Sequence, residues 1–120
     1  MANTYTQLYT HYIFAVRNRF GVISRSWKDD LYHYISGIIE RQGHKMYIIN
    51  GMPDHVHILV SMSPCQAPSD LMYHVKRSSS LWINQNRLVS GSFSWQEGFG
   101  AFSVGKPQLE QKIKFIISNP

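Results

Sequence analysis

Residues 52–60, which read MPDHVHILV, constrain the fold more than any other part of the chain. A proline-containing turn leads into an apolar, β-branched run, and that pattern predicts a β-strand. Successive side chains of a strand point to opposite faces, so His55 and His57 share one face while Val56, Ile58 and Val60 share the other. The chain must therefore supply an apolar core on one side of this strand and room for two imidazoles on the other.

Seven elements are predicted along the chain. Runs of aromatic and β-branched residues predict strands over Tyr9–Val16, Lys45–Asn50, His55–Met62 and Phe99–Val104. Apolar residues at helical spacing predict helices over Ser26–Gln42, from Ser69 to about Asn86, and from Pro107 onward. The connections are a basic turn at Arg17–Arg19, a tight turn at Gly51–Asp54, a loop at Ser63–Pro68 and a polar loop at Arg87–Gly98.

Several of these helices carry recognisable start signals and faces. Ser26 and Asp29 have the spacing of a capping box, and Ser69 is expected to cap the second helix. The second helix is expected to align Leu71, Val75, Ser78 and Trp82 on one face, and the last helix Leu109, Ile113 and Ile116.

The order of the first six elements predicts a fold class. Strand, helix, strand, strand, helix, strand is the β-α-β-β-α-β pattern of a ferredoxin-like α+β domain. Such a domain has a four-stranded antiparallel sheet with two helices on one face. The extra C-terminal helix is expected to cover the open face, where His55 and His57 would lie. The 120 residues suit one domain, residues 1–120.

Charge and cysteine content favour an intracellular partner of polyanions. The net charge is +5, and a small basic protein attracts nucleic acid above other partners. Cys65 is the single cysteine, so an intrachain disulfide is excluded, which fits a reducing cytosol. No signal peptide and no apolar run of membrane-spanning length is found, so a cytoplasmic protein without a membrane partner is expected.

The histidine pair is a candidate metal site. Two imidazoles on rigid backbone can hold a divalent metal, although two ordinary, hydrogen-bonded strand histidines would give the same pattern. On the last helix Gln111, Phe115 and Asn119 share one face at i, i+4 and i+8, so the Asn119 amide oxygen is a candidate third ligand. A polar amide at a helix exit before Pro120 is an equally good explanation. Mixed imidazole and oxygen ligands suit Mg²⁺ or Mn²⁺ on a phosphate at least as well as zinc.

Taken together, these segments resemble the single-tyrosine HUH transposases of small bacterial insertion sequences and the related REP-associated tyrosine transposases. The HUH strand of that family, with a hydrophobic middle residue, is matched by His55-Val56-His57 and its flanks. The likeness covers nearly the whole chain. The other matching segments are the first strand with Arg17–Arg19, Lys76–Ile83 and Trp95–Val104.

The resemblance implies metal-dependent cleavage and strand transfer of single-stranded DNA. In the family, a tyrosine on the final helix attacks a phosphodiester, giving a 5′-phosphotyrosine link and a free 3′-hydroxyl. Two histidines and a polar side chain of the tyrosine helix hold the metal, here His55, His57 and Asn119. The resemblance also implies a homodimer, in which the tyrosine helix often completes the partner's site, and recognition of hairpins near the ends of a mobile element.

One position departs from the family pattern. The family places a tyrosine four residues before the Gln or Asn ligand, and here that register puts Phe115 before Asn119. Phenylalanine has no hydroxyl and cannot attack phosphorus, so the chain is expected to bind DNA without cleaving it by this route. The candidate phosphate contacts are Arg17, Arg19, Lys76, Arg77 and Arg87.

Two other functions fit the same features. A non-catalytic nucleic-acid-binding module would stack bases on exposed aromatics of an open sheet, and its binding would not need the histidines. A metal-dependent hydrolase would activate water instead of a tyrosine. Asp54 is the only near carboxylate that could act as its base, and turn chemistry already explains Asp54.

Overall fold

The computed structural model describes residues 5–19 and 21–118. The strands are β1 (Tyr9–Ala15), β2 (Lys45–Met52), β3 (His55–Ser61) and β4 (Gly100–Val104). The α-helices are α1 (Lys28–Arg41), α2 (Pro68–Gln85) and α3 (Leu109–Ser118), and short 3-10 helices span Arg17–Arg19 and Lys106–Gln108. The predicted order of strands and helices is confirmed.

The four strands form one antiparallel sheet in the order β2-β3-β1-β4. The predicted ferredoxin-like arrangement is therefore confirmed, with β1 and β3 at its centre. Strand β2 runs two residues further than predicted, because Gly51 and Met52 pair with Val56 and His55. The predicted four-residue turn is thus a two-residue hairpin turn at Pro53 and Asp54. Gly51 has no room for a side chain, since a β-carbon there would collide with the carbonyl oxygen of His55.

The main hydrophobic core lies between one face of the sheet and helices α1 and α2. The even-numbered residues of β3 are fully buried there, as the alternation in the sequence predicted. The other large residues of this core that are buried to the same degree include Tyr12, Leu31, Ile35, Ile39, Leu71, Val75 and Ile83.

A second, smaller core covers the opposite face. Leu59 of β3, Val104 of β4 and Ile116 of α3 are buried together, with Leu109 and Ile113 packed against them. The extra helix therefore lies on the face that the first two helices leave open, which confirms its predicted place. Strand β3 is consequently buried on both sides, from Val56 to Val60.

The helix starts differ from the predictions in detail. Trp27 is the N-cap of α1 and no side chain caps the helix, so the predicted Ser26–Asp29 box is wrong, and the Ser26 hydroxyl bonds Ser24 instead. Helix α2 begins at Pro68, because proline suits the first turn, and Ser69 does not cap it. None of the helices in residues 5–19 and 21–118 is long and apolar enough to cross a membrane.

The segment predicted as a polar loop over Arg87–Gly98 contributes to the core. Phe93 and Trp95 are buried there, and the Trp95 ring meets Phe14 edge-on with centroids 4.8 Å apart. The Trp95 indole N–H donates to the Ser79 hydroxyl at 2.9 Å. Ser79, not the predicted Ser78, is the buried serine of α2, and this burial is what allows its contact with Trp95.

The packing of α3 gives a direct test of the second core. Ile116→Ala is expected to lower the free energy of unfolding by about 2–5 kcal/mol, because it leaves a cavity between α3 and the sheet. Ile117→Ala is the matched control, since the Ile117 side chain is 55% exposed and its loss should change stability by less than about 0.5 kcal/mol. Urea denaturation measures both, and equal effects would contradict this packing.

Candidate functional site

His55 and His57 lie on the face of β3 that α3 covers. Their ring centroids are 5.1 Å apart and the ring planes are nearly perpendicular, at 81°. His57 is 8% exposed, and the His55 side chain is 13% exposed. The strand thus holds two imidazoles side by side in a largely dry environment.

The orientation of the His55 ring is set by Asp54. The Nδ1 atom of His55 lies 2.7 Å from a carboxylate oxygen of Asp54. An ionised carboxylate only accepts hydrogen bonds, so Nδ1 carries the proton and Nε2 keeps the lone pair. A carboxylate behind an imidazole in this way is a frequent partner of metal-binding histidines. Asp54 therefore forms the hairpin turn, as the sequence analysis expected, and also orients the His55 ring.

A third histidine, His11 of β1, contacts His57. The His11 Nε2 and His57 Nδ1 atoms are 2.9 Å apart, and His11 is 5% exposed. His11 pairs with Leu59 in the β1–β3 register, while Ile13 pairs with His57, so the two histidines are diagonal neighbours on one face. Sequence reasoning missed His11, because only the strand register brings position 11 to position 57. The signal available in the sequence was that His11 is odd-numbered, which puts its side chain on the same face of β1 as that of Ile13.

The buried histidines are poor bases. Burial lowers the pKa of His11 to about 4, with smaller electrostatic contributions from the neighbouring His57 ring and from the Lys112 cation. Burial also lowers the pKa of His57, with smaller contributions from His55 and Lys112. Both rings are therefore neutral near pH 7, which is the protonation state that a metal ligand requires.

The donor atoms of the pair fit a divalent metal with mixed ligands. Every buried side-chain nitrogen or oxygen in the described residues has a hydrogen-bond partner. Within the described residues, the side-chain hydrogen bonds of His55 and His57 are made through Nδ1, and neither Nε2 atom has a partner there. Among the described residues, no group of three or more His, Cys, Asp or Glu side chains is arranged so that it could hold a metal ion by itself. A metal held by the two histidines would need further ligands, and amide, water or phosphate oxygens would give a mixed set that suits Mg²⁺ or Mn²⁺.

Asn50 ties the end of α3 to the histidine strand. Asn50 pairs with His57 across β2 and β3. Its side-chain amide donates to the carbonyl oxygens of Ile116 at 2.9 Å and Ile117 at 3.1 Å. The usual donor to the Ile116 carbonyl would be the backbone of residue 120, which is proline and has no N–H. The Asn50 amide supplies the missing donor, and sequence reasoning did not identify it.

Phe115 lies on the exposed side of α3. Its side chain is 47% exposed, and the Lys112 ammonium group lies 5.2 Å from the centre of its ring. The Lys112 charge also makes a small contribution to the lowered pKa of His11 and of His57. Asn119, the predicted third ligand, lies outside the described residues.

The predicted phosphate contacts are distributed over two regions. Arg17 is exposed after β1 and lines one cleft with Asn18, Trp95, Gln96 and Glu97. Arg77 is exposed on α2, and Arg87 is exposed after its end with a left-handed backbone, φ 51°. The Arg19 side chain lies outside the described residues.

Lys76 has a role within the protein. Its ammonium group donates to the carbonyl oxygens of Gln96 at 2.7 Å and Gly98 at 2.6 Å. Burial lowers the pKa of Lys76, and the Glu97 carboxylate opposes that shift. Lys76 therefore holds the segment that leads into β4.

Known proteins are similar to this chain in sequence and in fold. Residues 4–119 match the sequence profile of the family described as "Transposase IS200 like". The ISDra2 transposase TnpA of Deinococcus radiodurans is 34% identical over 117 residues, which cover 93% of this chain and 84% of that protein. The crystal structure of a candidate transposase from Deinococcus radiodurans R1 has a TM-score of 0.79 at 22% identity, covering 98% of this chain and 93% of that one. A REP-associated tyrosine transposase bound to a REP hairpin has a TM-score of 0.73 at 15% identity, covering 98% and 70%.

The Asn50 contacts predict how the last turn of α3 is held. Asn50→Leu removes both donors at similar volume and should lower the free energy of unfolding by about 1–2 kcal/mol. Backbone amides in the second half of α3 should exchange with solvent several-fold faster, which hydrogen-exchange mass spectrometry measures.

Asn86→Leu is the matched control for that experiment. The Asn86 amide also donates to a helix carbonyl, that of Trp82 at 2.8 Å, but at the exposed end of α2. It should leave exchange in α3 unchanged. Equal exchange of α3 in wild type and Asn50→Leu would show that Asn50 does not anchor the helix.

Proposed function

This chain belongs to the IS200-like transposases, and on that premise we propose that it binds single-stranded DNA at a two-histidine metal centre without cleaving it through a tyrosine. The proposal assigns the roles of the residues by comparison with the DNA strand-transfer chemistry that the resemblance to the family implies. It assigns the metal to His55 and His57, and the position of the missing nucleophile to Phe115.

One observation carries the proposal more than any other. The Nδ1 atoms of both His55 and His57 are hydrogen-bonded to neighbouring side chains, so both rings have only Nε2 left as a donor to a ligand. Buried imidazoles need hydrogen-bond partners in any role, and here the partner of each ring is at Nδ1, which leaves both Nε2 atoms as the possible ligands to one metal. Matched outer partners are typical of imidazoles that bind metals.

The residues divide the proposed work as follows. A bound Mg²⁺ or Mn²⁺ would polarise the scissile phosphate and stabilise the negative charge that develops on it. His55 and His57 would hold it, and Asn119 would contribute an amide oxygen from the last helix. Lys112 would add positive charge beside the phosphate. Asn50 keeps the last turn of α3 against the histidine strand, so the distance from Phe115 to the histidines is set by the fold.

The missing hydroxyl at Phe115 limits the chemistry. In the phosphotyrosine route, a tyrosine oxygen bonds to phosphorus while the 3′ oxygen of the preceding nucleotide leaves and takes up a proton. The Phe115 ring has no atom that can form this bond. We therefore assign this chain DNA binding with a nucleophile-free centre.

The proposed partner is single-stranded DNA with hairpin ends. A related structure is that of a REP-associated tyrosine transposase bound to a REP hairpin. On this chain, the exposed Arg17, Arg77 and Arg87, together with Arg19, are the proposed phosphate contacts. Lys76 is left out, because two carbonyl oxygens already engage its ammonium group. A homodimer is part of the proposal.

A non-catalytic nucleic-acid-binding module is the second candidate. Phe102 of β4 favours it, because this side chain is 55% exposed on the same face of the sheet as the histidines. An exposed ring on a sheet can stack with a base. This function would predict DNA binding that survives removal of His55 and His57 and that does not respond to divalent metal.

Restoring the hydroxyl tests the proposed function. Phe115→Tyr, incubated with Mn²⁺ and 3′-end-labelled single-stranded hairpin DNA from element ends, should form a covalent protein–DNA adduct that resists denaturation. The wild-type chain should bind the same DNA and form no adduct. Denaturing gel electrophoresis of the labelled products distinguishes the two.

A double variant provides the control. Phe115→Tyr combined with His57→Ala should lose at least about 100-fold in adduct yield if His57 holds the metal. A folded Phe115→Tyr protein that binds the DNA and forms no adduct would count against the proposal. Metal-dependent cleavage by the wild-type chain without an adduct would instead identify a hydrolase that activates water.

A further inference from the structure

We infer that His11 is a positioning residue that holds His57 in the one tautomer able to bind a metal through Nε2. The inference rests on the proposed function, because it concerns a residue behind a proposed ligand. It assigns His11 no contact with metal or DNA.

The geometry of the contact defines a directional hydrogen bond. The two nitrogen atoms are 2.9 Å apart, the ring centroids 5.1 Å apart, and the ring planes differ by 24°. The centroid distance exceeds the nitrogen–nitrogen distance by about two ring radii, so the nearly parallel rings meet edge to edge rather than face to face. The hydrogen bond therefore lies close to the plane of both rings, where a ring nitrogen donates and accepts.

Only one direction of this bond leaves His57 able to bind a metal. A neutral imidazole carries its proton on one nitrogen and a lone pair on the other. If His57 donates from Nδ1 to Nε2 of His11, the lone pair of His57 is on Nε2. If His11 donates instead, Nε2 of His57 carries the proton and cannot coordinate. Whether the proton of this hydrogen bond is on Nδ1 of His57 or on Nε2 of His11 therefore decides whether His57 can coordinate a metal through Nε2.

Burial makes this choice sensitive to His11. The two rings are 5% and 8% exposed, so little water is available to replace a missing partner at Nδ1 of His57. The Phe102 ring lies 5.9 Å from the His11 ring on the neighbouring strand and helps to enclose it. His55 has an equivalent partner in Asp54. His11 therefore contacts Nδ1 of His57 as Asp54 contacts Nδ1 of His55. The two partners differ because an imidazole can donate a hydrogen bond as well as accept one.

Three variants test the role of His11. His11→Phe keeps a ring but removes the acceptor. His11→Gln keeps an acceptor, because the amide oxygen can reach the place of Nε2. Ile13→Val is the matched control. Ile13 lies directly opposite His57, so the substitution changes the packing beside His57 but leaves the hydrogen bond with His11 in place. Thermal unfolding establishes that each variant is folded.

Two readouts separate positioning from packing. Long-range ¹H–¹⁵N correlation spectra of metal-free, ¹⁵N-labelled protein report the His57 tautomer. Wild type, His11→Gln and Ile13→Val should show the Nδ1–H form, and His11→Phe should lose that preference. Titration with Mn²⁺ alone, followed by electron paramagnetic resonance, should show affinity reduced about 10–100-fold in His11→Phe. His11→Gln should stay within about threefold of wild type, and so should Ile13→Val.

The outcomes distinguish this inference from the proposed function. If His57→Ala binds Mn²⁺ as tightly as wild type, the proposed metal centre is wrong. If His57→Ala loses Mn²⁺ but His11→Phe retains it, the metal centre stands and the role of His11 is overturned. An Nε2–H tautomer of His57 in the wild-type protein, or loss of affinity in His11→Gln equal to that in His11→Phe, would also overturn it.

Discussion

Burial of strand β3 on both faces is the constraint on which the rest of the structure depends. Its even-numbered residues pack against α1 and α2, while Leu59 packs under α3 on the other side. A strand with apolar residues on both faces needs two covering layers, so α3 is required by packing before any chemistry is considered. The histidines occupy the same face as Leu59, nearer the hairpin turn. Because α3 covers Leu59, it also lies on the face of the sheet that carries the two imidazoles.

This coupling makes the position of Phe115 a consequence of sheet packing. Ile116, the next residue, is buried against the sheet, and the carbonyls of Ile116 and Ile117 accept hydrogen bonds from Asn50. Because Asn50 pairs with His57, the same row of the sheet holds both the proposed ligand and the end of the helix. A helix fixed by one apolar contact could slide or rotate by part of a turn. The added pair of directional hydrogen bonds removes that freedom at its last turn.

Periodicity predicted most of the fold, because the strand alternation and the helix stripes of this chain reflect which faces are buried. It placed Val56, Ile58 and Val60 in the core, and the order of the elements placed α3 over the open face; both predictions are confirmed. It failed for Phe93 and Trp95, whose polar surroundings hide two core residues held by Asn84 and Ser79. It also failed for His11 and Asn50. Their roles come from the pairing of three strands, and no local pattern around either residue reports that pairing.

The cost of the histidine arrangement argues that it has a use. His11 and His57 are buried, and the pKa of each is lowered because the fold disfavours their charged forms. The neighbouring positions on the same face, Ile13 and Leu59, show that this surface accepts aliphatic side chains, which would stabilise it without desolvating polar atoms. The chain instead keeps a hydrogen-bonded set of imidazoles in which neither Nε2 atom of His55 and His57 has a partner among the described residues. Packing accounts for the aliphatic half of this face, and the proposed metal site would account for the other half. In the proposed function, Phe115 lacks the hydroxyl that would act as the nucleophile, while the proposed ligand-binding half of this face is kept.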